Sequence, residues 1–287
     1  MKPDQAPAAP TFVTAALRVF DVSVSEMLWS RRTIFMALVA AGPVVLALLL
    51  RVVTESGAFE GAAAVNGRRV SLNGPAIFGL MVWTFYLRFT VPVLGVFYGT
   101  ALIADEVEDR TLTYLFTRPI PRGAVLAGKY LAYLVCTAVV VLPSVMLVYF
   151  LVVPILNGSI GREFPSLAID LAMVAAGLAV YGALFALVGA WFRRPLLTGL
   201  VVVFGWEPIV TVLPGYMKYL TVAYYLQGLV PHAMPQGDSL SLLQAILTSI
   251  QTPLGTWTNI IVLAAIWLLA FAAALRVTAG REYVLEQ

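Results

Sequence analysis

Six stretches of this chain are too long and too apolar to be held in water: roughly Thr33 to Val53, Ala76 to Ala104, Val125 to Val153, Leu167 to Phe192, Leu196 to Leu213 and Asn259 to Val277. Crossing about 30 Å of hydrocarbon takes about 20 helical residues at 1.5 Å each. Inside lipid every backbone N–H and C=O must be satisfied within the segment, so runs of this length fold as helices. The composition agrees, with 61% hydrophobic and 11% charged residues and a mean hydropathy of +0.91, where a soluble domain carries about 25% charge. These values argue against a soluble enzyme, a disordered chain and a nucleic-acid reader. The expected fold class is an all-α integral membrane protein with six transmembrane helices.

The fifth run is the weakest, because Pro208 interrupts it and Pro214-Gly215 ends it; a broken or re-entrant helix is expected there. Lys and Arg set the orientation. With the N-terminus inside, twelve basic residues fall on inner segments and five on outer ones, and Arg88 is left within span two. That bias predicts a multi-pass protein of the inner (cytoplasmic) membrane with both termini cytoplasmic. The net charge of +3 comes from basic residues that flank apolar runs, a pattern that orients helices and builds no nucleic-acid groove.

The spans divide the chain into a cytoplasmic tail and interfacial segment (1–32), a six-span domain (33–277) and a short cytoplasmic tail (278–287). No apolar core precedes a small-residue cleavage site at the start, so a cleavable signal is not expected. From Thr11 to Trp29, Phe12, Ala15, Ala16, Val19, Phe20, Met27 and Leu28 keep helical spacing beside Arg18, Asp21 and Glu26. The pattern predicts an amphipathic helix on the inner leaflet; the alternative is a frayed tail. Outside, Thr54 to Pro75 reads as a Gly- and Ala-rich loop without periodicity. Between spans five and six (214–258), Tyr216 to Val230 and the helical repeat Leu240, Leu243, Ile246, Leu247 and Ile250 predict two short outer helices that rest in or dip into the outer leaflet.

The densest polar segment follows span two. Four of the fifteen acids, Asp105, Glu106, Glu108 and Asp109, lie within five residues. Next, Leu112, Leu115 and Phe116 form a narrow apolar stripe, Arg110, Thr113, Tyr114 and Thr117 face elsewhere, and Pro119 and Pro121 stop the helix. A short amphipathic helix held between two long spans suits docking into another protein's groove; an ordinary solvated loop is the competing reading.

The order Glu106-x-Glu108-x-x-Thr111-x-x-x-Leu115-x-x-x-Pro119-x-x-Arg122-x-x-x-x-x-Gly128-Lys129 resembles the cytoplasmic stretch after span two of type-2 ATP-binding-cassette permeases, which share the type V exporter fold. Trp206-Glu207-Pro208 through Leu213-Pro214-Gly215 to Tyr224-Tyr225-Leu226 is similar to that family's region after span five. The resemblance implies a permease half that dimerises, with a second copy of itself as the expected partner, and takes motion from separate ATPase subunits that hold ATP and magnesium. It implies ATPase-coupling roles for Glu106, Glu108, Arg110, Thr111, Tyr114, Leu115, Arg118, Pro119 and Arg122. The chain itself is expected to carry no catalytic residue and no cofactor. Gly123 to Lys129 matches G-x-x-x-x-G-K, but Tyr130 stands where a Ser or Thr would hold magnesium, and the match opens a transmembrane helix. Lys129 is better read as a snorkelling anchor.

Two ionisable residues lie at membrane depth. Arg88 is about 18 Å along span two from its outer end, and Glu207 about 17 Å along span five from its inner end. A charge there costs several kcal/mol unless paired or wetted, so the pair reads either as a gate or substrate contact or as a structural ion pair. His232, the only histidine, lacks a ligand cluster and is not expected to bind metal. Cys136, the only cysteine, reads as a core residue, and Trp83, Phe85, Phe89 and Phe97 as packing or lipid-facing groups. The expected function is therefore ATP-driven export of a lipophilic or amphipathic cargo. An ion-coupled secondary transporter, motivated by Glu207 and Arg88, and a membrane anchor or assembly factor remain as alternatives.

Overall fold

The computed structural model describes residues 11–57, 62–65, 68–71, 73–103, 121–155, 158–212, 216–233 and 255–280. The chain opens with α1 (Phe12–Leu28), whose cap Thr11 accepts a hydrogen bond from the Thr14 N–H. Five long apolar helices follow: α2 (Arg31–Glu55), α3 (Gly74–Ile103), α4 (Arg122–Val152), α5 (Ile160–Trp191) and α8 (Thr256–Gly280). Between α5 and α8 come α6 (residues 195–212), a 3₁₀ turn Tyr216–Leu220, α7 (Val222–Gln227) and a second 3₁₀ turn Pro231–Ala233.

Two expectations need correction. The segment after span one is not merely a loop: β1 (Ala62–Val65) pairs antiparallel with β2 (Arg68–Ser71), and the regular structure of the described residues is otherwise helical. The fifth span is continuous from 195 to 212 rather than broken, and it reaches about 27 Å. Pro208 is accommodated instead by widening of the helix, since Val201–Trp206 immediately before it is π-helical.

Span two solves the same problem in the same way. Its turns are π-helical over Val82–Thr90 and Gly95–Gly99, on either side of Pro92. A proline removes one N–H and crowds the carbonyl four residues back. A turn that bonds i to i+5 re-satisfies the neighbouring groups, and such bulges recur at functional sites. The two widened helices are the two that carry Arg88 and Glu207.

Packing places α3 at the centre, 72% buried over its apolar window against 17% for α8. Small residues bring the backbones together. A methyl at Gly95 or Gly99 would lie 2.9 Å from Cβ of Tyr181 or Phe185, so these glycines let α3 lie directly on α5. Helix α1 does not bury its large apolar residues. It packs Ala15 and Ala16 on Ala124 and Ala127 of α4, while Val13, Leu17 and Val22 remain exposed in the manner of a helix lying at a lipid interface. Gly128 sets the closeness of that contact, because a Cβ there would overlap the Ala16 carbonyl.

Candidate functional site

The centre of the bundle holds a polar cluster built from four elements. Glu207 begins the last two turns of α6, and its carboxylate is almost fully buried. One oxygen accepts the Tyr181 hydroxyl of α5 at 2.5 Å, and the backbone N–H groups of Val222 and Ala223 at the start of α7 also donate to the carboxylate. Arg88 of α3 stands close enough for its charge to act on both Glu207 and Tyr181, and its guanidinium lies 5.6 Å from the Trp83 ring centre. The carboxylate is thus met by a phenol, two amides and a nearby cation. This is how a charge becomes tolerable at membrane depth.

The two intramembrane residues singled out from sequence are therefore brought together. Tyr181 joins them, and no sequence signal marked it: a tyrosine in an apolar helix reads as packing, and only the register of α5 against α6 gives its hydroxyl a partner. Trp83 is a packing residue, buried with its ring beside Arg88, while Phe89 is exposed and meets Phe204 of α6 at 6.3 Å between ring centres.

The return of the chain to Glu207 explains the outer segment. Val222 to Leu226 are all buried, Lys218 lies over the faces of Tyr219 and Tyr224, and the Tyr225 hydroxyl donates to the Tyr219 carbonyl at 2.8 Å. A helix too short to span can enter the protein at this depth because it is covered by protein on all sides. The second expected outer helix, over 240–250, lies outside the described residues.

The same segment is pinned a second time, at its far end. His232 is fully buried: its Nδ1 hydrogen-bonds the Asp170 carboxylate, its backbone N–H approaches the other Asp170 oxygen at 3.5 Å, and its Nε2 lies 3.4 Å from Glu163. Phe78 and Tyr149 present their rings edge-on to the imidazole. Sequence reading took His232 for an isolated loop residue. The cluster has no local sequence signature, because Asp170 lies 62 residues before His232 and the two meet only when the outer segment folds onto α5. No group of three or more His, Cys, Asp or Glu with metal-binding geometry occurs among the described residues.

Of the proposed ATPase-coupling residues, Glu106, Glu108, Arg110, Thr111, Tyr114, Leu115, Arg118 and Pro119 lie outside the described residues; Arg122 opens α4. The frame on either side is defined: α3 ends at Ile103 and α4 resumes at Arg122. Hydroxyls tie the start of α4 to the bundle. Tyr130 and Tyr133 donate to the Ala179 and Leu178 carbonyls of α5, and Trp267 of α8 donates to the Tyr130 hydroxyl at 2.7 Å.

No individually curated protein matches the chain. The chain nevertheless has a family: it is matched from residue 13 to residue 281 by the family model described as ABC-2 family transporter protein, and it belongs to that family of ABC-transporter permeases.

Proposed function

We propose that the chain is the membrane half of an ATP-driven exporter of lipophilic or amphipathic cargo, acting as a homodimer with separate ATPase subunits docked on residues 105–122. The observation that carries the reading is that the two π-widened helices, α3 and α6, carry Arg88 and Glu207, with Glu207 bonded to Tyr181 of α5 and under the influence of the Arg88 charge. π-Widened turns are frequent at functional sites, so a push delivered at the Ile103 end of α3 would be taken up as a rearrangement of the widened stretches Gly95–Gly99 and Val82–Thr90. The buried polar cluster would then move as a unit with α7 and the outer segment. In this reading ATP binding by the partner subunits closes them, shifts α3 against α6 of the facing protomer, and opens the outer end to release cargo.

The secondary-transporter reading is less well supported by the same geometry. A coupling carboxylate has to exchange its partners for a proton or sodium ion, and Glu207 is held by three donors from two elements. The reading is tested by isolating the full chain from its native membranes in mild detergent, with Thr111 to Arg118 intact or scrambled. An ATPase in stoichiometric amount with the intact chain, lost with the scrambled one, is the expected result. Transport that persists after scrambling, or that follows an ion gradient and ignores ATP depletion, would overturn it.

A further inference from the structure

The end of the bundle that carries Arg193 and Arg194 holds a two-lobed cleft that the Arg88–Glu207 cluster does not use. The lobes share Arg32, Tyr98 and Ala101. The smaller, about 220 Å³, is electrically mixed because Glu26 lines it beside Lys129. The larger, about 410 Å³, is one-sided among the described residues: Arg32, Arg193 and Arg194 are the charged residues that line it, set against Phe35, Phe97 and Leu197. Its volume lies in the range of small-molecule sites, roughly 300–1,000 Å³.

This lobe is held in shape. The Tyr98 hydroxyl donates to the Arg32 main-chain carbonyl at 2.5 Å, which ties the start of α2 to α3. The Phe35 and Phe97 rings meet at 4.6 Å between centres and form the apolar floor. Pro195 starts α6 directly after Arg194, so the two arginines sit on a two-residue corner between spans four and five, both exposed. The cleft thus lies where helices leave the hydrocarbon, at head-group level. Just inside it, Leu197 and Val201 stand one turn apart on α6 and are 56% and 69% exposed.

Cations at the interface above an apolar wall match one class of molecule, an anionic amphiphile. We propose that the larger lobe binds an acidic phospholipid, its phosphate against Arg193 and Arg194 with Arg32 adding charge, and its acyl chains along the Phe35–Phe97 floor and the Leu197–Val201 ridge. A free phosphate would use the arginines and leave the apolar wall without purpose; an acidic protein segment would not need a wall continuous with the hydrocarbon. Basic clefts between spans are a recurring form of lipid head-group site. The assignment is independent of the export reading, since a bound lipid is compatible with any function of the bundle.

The test uses the full chain in mild detergent, stripped of lipid and titrated with phosphatidylglycerol or phosphatidylcholine, with bound lipid counted by native mass spectrometry. One phosphatidylglycerol per chain is expected to survive activation that removes phosphatidylcholine. Arg193→Gln with Arg194→Gln should weaken it about 30-fold, from two contacts near a charged interface, whereas Arg162→Gln at the opposite end should leave it unchanged. Leu197→Trp, which fills the lobe without altering charge, should weaken it as well and serves if the arginine variant does not fold. Equal retention of both lipids, loss with Arg162→Gln, indifference to Leu197→Trp, or displacement by inorganic phosphate alone would overturn the assignment. So would arginine variants that lose ATPase docking yet retain the lipid, which would assign the corner to a protein contact.

Discussion

Removing a single oxygen from Tyr181 tests whether the buried cluster is a bonded unit. Tyr181→Phe keeps the ring, which stacks on Phe185 at 6.2 Å, and deletes only the hydroxyl that Glu207 accepts. Interhelical hydrogen bonds in membranes average about 0.6 kcal/mol in double-mutant cycles. The acceptor here is a carboxylate shut away from water, and bonds to charged groups are worth about 1.5–3 kcal/mol. The unfolding equilibrium should therefore shift by about 10- to 150-fold, measurable by titrating the detergent-solubilised chain with a denaturing detergent and following tryptophan fluorescence. Glu207→Gln alone should change stability little, because relief of a buried charge offsets weaker bonding to Val222 and Ala223. When Glu207→Gln is already present, the added cost of Tyr181→Phe should fall toward the neutral value of about 0.6 kcal/mol. Identical costs with and without Glu207→Gln would show that the hydroxyl and the carboxylate do not interact, and the assignment of the cluster as a unit would be wrong.

Packing at three glycines gives sharper contrasts. A methyl at Gly182 would overlap the Tyr133 ring, so Gly182→Ala should cost about 1–3 kcal/mol or more in a melting assay, while Gly42→Ala, which meets nothing within 4 Å, should be neutral or stabilising by up to about 1 kcal/mol. Gly128→Val should pry α1 from α4, seen as faster proteolysis near Thr11 in membranes with little change in the rest of the bundle. At the other end, Asp170→Ala breaks a fully buried pair with His232 and should cost about 3–5 kcal/mol. Asp170→Asn keeps an acceptor for the imidazole and should cost clearly less; equal losses for the two would mean that the His232 contact does not hold the outer segment.

Much of the architecture is legible in the sequence because a bilayer asks so little of a helix: length and apolarity suffice, so five of the six expected spans are long apolar helices where hydropathy puts them, and the fifth in order, over 195–212, is a shorter apolar helix. Arg88 and Glu207 stand out for the converse reason, since a charge in hydrocarbon needs a partner. What could not be read is how the helices meet. Pro92 and Pro208 signal an irregularity, but whether the helix breaks, kinks or widens depends on neighbours such as Tyr181 against Gly95. The β1–β2 hairpin hides in a Gly/Ala-rich stretch with no alternation to reveal it. His232, Asp170 and Glu163 come from separate segments, and no local spacing announces the cluster. Tyr130 and Tyr133 likewise look like ordinary aromatic residues until the α5 carbonyls they bond are in place.

One motion is central to the proposed function, the displacement of α3 when partner ATPases bind nucleotide. Phe89 is exposed on α3 one residue after Arg88, and Cys136 is the only native cysteine. A single spin label at Phe89→Cys in a Cys136→Ser background therefore reports one distance between protomers. Double electron–electron resonance on the assembled complex should give one distance without nucleotide, a shifted one when ATP is trapped, and no shift once Thr111 to Arg118 is scrambled. An unchanged distance in the trapped state, or a shift that survives scrambling, would contradict the coupling of ATP to α3 through residues 105–122.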